Sequence, residues 1–141
     1  ANANAIATTG TFATTVTNIV TGAGNANVGA GGVTAQKVSG DGATLAAGTE
    51  MVFLDIGTYA TDLALKTAFA ASEATFTVGN AVTDNDAILV VYKTGTDLNV
   101  AVAQFAGAAT NSDSIDGVET LVTLQGIADF TNIDGTDFII A

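Results

Sequence analysis

Short apolar runs separated by glycine- and aspartate-containing turns recur along this chain. The clearest unit is residues 87–105, AILVVYKTGTDLNVAVAQF, in which two apolar runs flank a polar turn around Gly95. Two such runs joined by a short turn predict a β-hairpin. Residues 50–56, EMVFLDI, carry apolar side chains on both faces, which predicts a central strand.

The rest of the pattern predicts further strands and one clear helix. Thr61 is a suitable N-cap and Asp62 suits the first turn, so a helix is expected over residues 62–71. Further short strands are predicted at residues 33–38, 74–78, 120–124 and 138–140. The fold class that follows is mainly β: an antiparallel β-sandwich or β-roll of about seven or eight strands with one or two short helices.

The length of 141 residues is that of one domain, residues 1–141. Residues 1–21 are uncharged and rich in Thr and Val, so they are predicted to be either a core strand or a strand donated to a neighbouring subunit. Residues 22–32, GAGNANVGAGG, predict a glycine-rich loop without phosphate-loop spacing.

Composition excludes several classes of function. The net charge is −11, so nucleic acid is not an expected partner. The absence of His and Cys excludes a Ser-His-Asp triad, a thiol nucleophile and ordinary zinc, haem or iron–sulfur sites. A carboxylate-pair hydrolase would need a sugar cleft, and the chain has no Trp and only two Tyr. Membrane insertion is not expected, because no apolar stretch approaches about 20 residues.

Acidic loops in the second half of the chain are the candidate metal sites. Calcium prefers six to eight oxygen ligands from carboxylates, amides and carbonyls in flexible loops. The alternative is that Asp and Asn occupy these turns because they hydrogen-bond their own backbone. The candidate calcium ligands are Asp84, Asn85, Asp86, Asp113, Asp116, Glu119, Asp134 and Asp137.

The C-terminal region, residues 110–141, resembles part of a known group of bacterial proteins. Residues 112–141, SDSIDGVETLVTLQGIADFTNIDGTDFIIA, with the LVTLQGI strand and the terminal DF before aliphatic residues, resemble the C-terminal ends of RTX-type bacterial proteins exported by type I secretion. That group includes adhesins, S-layer proteins and some hydrolases. The resemblance implies an extracellular or cell-surface location and a C-terminal signal read by the type I export machinery. The glycine-rich repeats of that group are missing here.

These observations favour a non-enzymatic protein that forms a homo-oligomer or polymer. The leading hypothesis is a secreted bacterial structural protein that self-assembles into a filament, matrix fibre or surface lattice, with calcium bridging its acidic subunits. The alternative is the C-terminal secretion and folding module of a larger type I-secreted adhesin or hydrolase.

Overall fold

A five-stranded mixed sheet forms the centre of the protein. The computed structural model describes residues 18–24 and 26–140. Within them lie nine strands, one α-helix and two short 3₁₀ helices. The strands are β1 (Gly31–Gly32), β2 (Ala35–Val38), β3 (Ala43–Thr44), β4 (Met51–Thr58), β5 (Phe76–Thr77), β6 (Ala87–Lys93), β7 (Leu98–Phe105), β8 (Ile115–Leu124) and β9 (Ile139–Ile140). The helix α1 is Asp62–Ala70, and the 3₁₀ helices are Ser112–Ser114 and Gly135–Asp137.

The sheet order is β2-β4-β6-β7-β8, with two additional two-stranded pairs, β1-β9 and β3-β5. The mainly β class is confirmed, and nine strands are close to the expected seven or eight. The expected antiparallel pairing applies to β6-β7 and β7-β8. By contrast, β2, β4 and β6 are parallel, because the chain crosses over through α1 between β4 and β6.

Both faces of the sheet are buried. Alternate residues of a strand point to opposite faces, so β4 and β6 supply both cores. One face packs Val52, Leu54 and Tyr92 against α1. The other face packs Phe53 and Val91 against apolar residues of the N-terminal and C-terminal segments. This two-sided burial explains the nearly continuous apolar runs of both strands.

The helix begins as its sequence predicts. Thr61 is the N-cap, and its hydroxyl accepts a hydrogen bond from Ala64 N at 3.1 Å. Leu65 and Phe69 are fully buried against the sheet, and Phe69 meets Phe76 edge to face at 5.9 Å. The predicted helix therefore forms, ending one residue early.

Two predicted boundaries were wrong. Strand β8 begins at Ile115, five residues before the predicted start, because Ile115 and Val118 point into the core while Asp116 between them is exposed. The strand predicted at residues 74–78 is reduced to the two residues of β5. The hairpin of β6 and β7 lies where it was predicted.

The predicted N-terminal strand at residues 1–21 falls mostly outside the described residues. Its last part is described: Ile19 pairs with Ala87 in parallel, and Asn18 Nδ2 donates to Asp86 Oδ1 at 2.8 Å. Asn18 therefore lies at the end of the sheet where β6 begins.

Candidate assembly surface

Strand β8 is one edge of the central sheet, and among the described residues only β7 pairs with it. Its ten residues make it the longest strand in the described part of the chain. Edge strands present unpaired backbone groups, and proteins usually protect them by shortness, charge, bulges or cover. The two halves of β8 differ in how far they are protected.

The first half of β8 is held under the helix by Asp62. The Asp62 carboxylate accepts a hydrogen bond from Thr120 N at 2.9 Å and one from the Thr120 hydroxyl at 2.6 Å. It also accepts one from the Tyr92 hydroxyl at 2.5 Å. Since Asp62 is the first residue of α1, this single carboxylate ties the helix to two strands of the sheet.

The buried Tyr92 extends this tie across the sheet. Asn99 Nδ2 donates to the Tyr92 hydroxyl at 2.8 Å, and the Thr123 hydroxyl donates to Asn99 Oδ1 at 2.8 Å. Burial, and then the hydrogen bond to Asp62, raise the pKa of Tyr92 above its usual value. The hydroxyl thus remains a donor at neutral pH, and the network fixes β6, β7 and β8 to the helix.

The second half of β8, residues 121–124, lies open. Leu121 and Val122 are each 48% exposed. A bulge gives this end some protection, because Thr120 faces Ala101 and Val122 faces Val100, which leaves Leu121 without an opposite residue. No charged residue lies between Glu119 and Asp129. This end therefore lacks the lysine or other charge that usually discourages edge-to-edge pairing.

The opposite edge of the sheet, strand β2, is covered. Gln36 Oε1 accepts from Ala46 N at 2.7 Å and from the Thr49 hydroxyl at 2.8 Å, and Gln36 Nε2 donates to Thr44 O at 3.1 Å. Lys37 on this strand forms an ion pair with Asp55 at 2.7 Å. The protection of β2 makes the open end of β8 the more accessible of the two edges.

An open hollow of about 410 Å³ follows directly after the open end of β8. It lies within the loop that continues the chain from the strand. Its lining combines apolar side chains with one carboxylate and one amide. The lining residues are Gly126, Ile127, Ala128, Asp129, Asn132 and Ile133.

The first group of predicted calcium ligands makes hydrogen bonds within the protein. Asp84 Oδ1 accepts from Gly107 N at 2.7 Å, and Asp84 Oδ2 accepts from Asn85 Nδ2 at 3.1 Å. Asn85 has a positive φ of 67°, a conformation that Asn tolerates in turns. Asp86 is buried and accepts from Thr83 N at 2.9 Å as well as from Asn18.

The second group does not form one loop. Asp113 lies in the 3₁₀ helix, where Asp113 Oδ2 accepts from the Ser72 hydroxyl at 3.1 Å. Asp116 and Glu119 lie in β8, so the expectation of an acidic loop here was wrong. Asp116 is exposed, whereas Glu119 Oε2 is buried and has no hydrogen-bond partner.

The third group, Asp134 and Asp137, forms a capping box. Asp134 Oδ1 accepts from Thr136 N at 2.8 Å, and Asp137 Oδ2 accepts from Asp134 N at 2.9 Å. The hydrogen bonds from Thr136 lower the pKa of Asp134 below its usual value. Across residues 18–24 and 26–140, no three acidic side chains lie close enough to hold one metal ion.

The sequence pattern did not predict the contacts of two carboxylates that join distant parts of the fold. Asp62 was expected to begin a helix or to pair locally with Lys66. Asp55 was not singled out, although Lys37 and Lys93 both pair with it, at 2.7 Å and 2.6 Å. These two ammonium groups lower the pKa of Asp55, with Lys37 the larger cause. No local signal marks either role, since the partners lie far apart in sequence.

Comparison with known proteins does not assign this chain to a family. No protein-family model matches it, and neither the curated proteins nor the solved structures include a significant match. The α-helix of nine residues is too short to cross a bilayer, and the described ranges contain no longer apolar helix.

Proposed function

We propose that this chain is a non-enzymatic structural protein, secreted by bacteria, whose copies self-assemble outside the cell into a filament, matrix fibre or surface lattice. The observation that carries the proposal is the open end of β8, where Leu121 and Val122 are exposed on the part of the sheet edge that bears no charge, beyond Asp116 and Glu119. Such an edge is a template for pairing with another chain.

Charge supports an assembly controlled by cations. Each subunit has a net charge of −11, so copies repel one another at low ionic strength. Among the predicted calcium ligands, Asp84, Asp113, Asp116, Asp134 and Asp137 are exposed. Because each makes its hydrogen bonds locally or faces solvent, calcium is proposed to act between subunits by bridging such carboxylates.

The C-terminal run supports the proposed export route. Ile139 is 80% exposed after the capping box of Asp134 and Asp137, whereas Ile140 packs against the core. In the proposal, this run is the address read by the type I export machinery, as the resemblance to RTX-type C-terminal ends implies.

The test is the size of the particles that the full chain forms. We would measure it by light scattering and electron microscopy across protein concentration, in millimolar calcium and in excess chelator. The proposal expects large ordered particles that Val122→Lys abolishes, because a charge would then stand on the open edge. The matched control is Ile139→Lys, which places the same charge on another exposed aliphatic residue outside the central sheet.

A monomer under every condition would overturn the proposal. That result would instead favour the secretion and folding module of a larger type I-secreted adhesin or hydrolase. Assembly unaffected by Val122→Lys would retain self-assembly but remove the open end of β8 as its contact.

A further inference from the structure

We infer that the open end of β8 is the acceptor site for the N-terminal segment, residues 1–17, of a second copy of this chain. This inference rests on the proposed function and specifies its contact. The acceptor surface is residues 121–124 together with the adjoining hollow of about 410 Å³. In such strand addition, main-chain hydrogen bonds hold the donor, and hollows for alternate side chains give specificity.

The donor segment has the pattern that this surface requires. In an extended strand, residues two apart share one face. Its three largest apolar residues, Ile6, Phe12 and Val16, all have even numbers and would share a face once the segment is extended as a donated strand. The acceptor offers apolar contacts for that face through Val122, Ile127 and other aliphatic side chains.

Charge also matches the two surfaces. No charged side chain precedes Lys37, so the donor segment contains none. The acceptor end of β8, residues 121–124, is likewise free of charged side chains, and Asp129 is the one carboxylate that lines the adjoining hollow. An uncharged strand can approach a subunit of net charge −11 without the repulsion that a typical surface of this protein would meet.

Geometry favours a second copy over the segment of the same chain. Ala87 N donates to Asn18 O, and Val20 N donates to Ala87 O, so both polar groups of Ala87 point away from β7. Asn18 therefore lies on the β4 side of β6, while the acceptor lies beyond β8.

An intramolecular path from Asn18 to the chain's own acceptor would use much of residues 1–17. It crosses about four strand spacings of ~4.8 Å and then runs about four residues of ~3.3 Å along β8, roughly 32 Å in total. An extended chain needs about ten residues for that distance. Those ten would include Phe12 and Val16, which leaves only Ile6 of the three apolar residues for the chain's own acceptor. A second copy can present any of the three, because none of its residues 1–17 is needed to span that distance.

The test is a cross-link between two full-length variants. The chain has no Cys, so Ala13→Cys and Val122→Cys each introduce a single thiol. The two variants are mixed and treated with a short thiol-reactive cross-linker. We expect a cross-linked dimer, at least about tenfold more abundant than when Ala13→Cys is mixed with the matched control Ile139→Cys. Excess chain without an added Cys should reduce the cross-link, because its donor segment and its acceptor compete with those of the two variants.

A double variant, Ala5→Cys with Val122→Cys, distinguishes the source of the donor, because in its own chain only residues 1–7 could reach the acceptor. A looped monomer in place of dimers would overturn the inference, because the segment would then pair with its own chain. No cross-link in particles that still assemble would overturn it too, while the proposed self-assembly would stand. If the full chain forms no particles under any condition, both the proposed function and the inference fail.

Discussion

Replacing Asp62 with Ala tests whether one carboxylate holds the helix to the sheet edge. The change removes the acceptor of the Tyr92 hydroxyl at 2.5 Å and of Thr120 N at 2.9 Å. A hydrogen bond to a charged group contributes about 1.5–3 kcal/mol net, and a carboxylate at a helix N-terminus adds about 0.3–1 kcal/mol. Because the hydrogen bonds share one half-buried carboxylate, they act together. We therefore expect a loss of about 2–4 kcal/mol.

The assay is urea unfolding followed by circular dichroism. With a slope of about 1.5 kcal/mol/M, the midpoint should fall by about 1.3–2.7 M. The matched control is Asp116→Ala, the same substitution at an exposed position of β8, which should change the free energy of unfolding by less than about 0.5 kcal/mol. A midpoint for Asp62→Ala equal to that of the control would refute the reasoning.

A double-mutant cycle with Tyr92→Phe isolates the bond between the two side chains. The Phe ring retains the buried packing of Tyr92 and removes only the hydroxyl. Coupled residues show interaction energies of about 0.5–3 kcal/mol, so the two changes together should destabilise less than the sum of the single changes. Strict additivity would mean that the hydrogen bond from the Tyr92 hydroxyl to Asp62 contributes nothing to stability.

Three further predictions concern the core, pH and calcium. Phe69→Ala, at a fully buried position, should lower the free energy of unfolding by about 3–5 kcal/mol in the same urea assay. The folded pKa of Asp55 is lowered by Lys37 and Lys93, so the stability from these ion pairs is present above its unfolded pKa of about 3.9 and is lost as pH falls through the folded value. The destabilisation by Asp55→Asn, about 1 kcal/mol or less at pH 7 because the pairs are partly exposed, should therefore shrink in unfolding curves below about pH 4. Chelator should disperse the assembled particles and added calcium should restore them, as read by light scattering; insensitivity to both would exclude calcium bridging.

The features that sequence predicted correctly are determined locally. The β6-β7 hairpin follows from two apolar runs that flank a turn around Gly95. The start of α1 follows from Thr61 and Asp62, which are adjacent in sequence and act on the same helical turn. In each case the residues that define the element also contact one another, so the pattern contains the whole reason for the structure.

The features that sequence missed depend on distant pairing. Strands β4 and β6 lie parallel and side by side only because α1 packs over the sheet, and no local pattern records that crossover. The Asp62–Thr120 contact joins residues 58 positions apart. The early part of β8 was taken for a loop because Asp116 and Glu119 made it polar, whereas an edge strand tolerates polar residues on its outer side.

Asp62 holds the first part of β8, whereas residues 121–124 are open. This difference supports a binding role for the open end. A protein that needed only to stay monomeric could extend the protection that Asp62 gives at Thr120, or place a lysine beyond it. Instead the uncharged stretch begins directly after Glu119 and contains the exposed Leu121 and Val122. On a subunit of net charge −11, repulsion already limits indiscriminate association, so a short neutral edge can stay open and admit an uncharged strand. In the proposed assembly, charge elsewhere on the surface sets when subunits approach, and the open edge sets where they join.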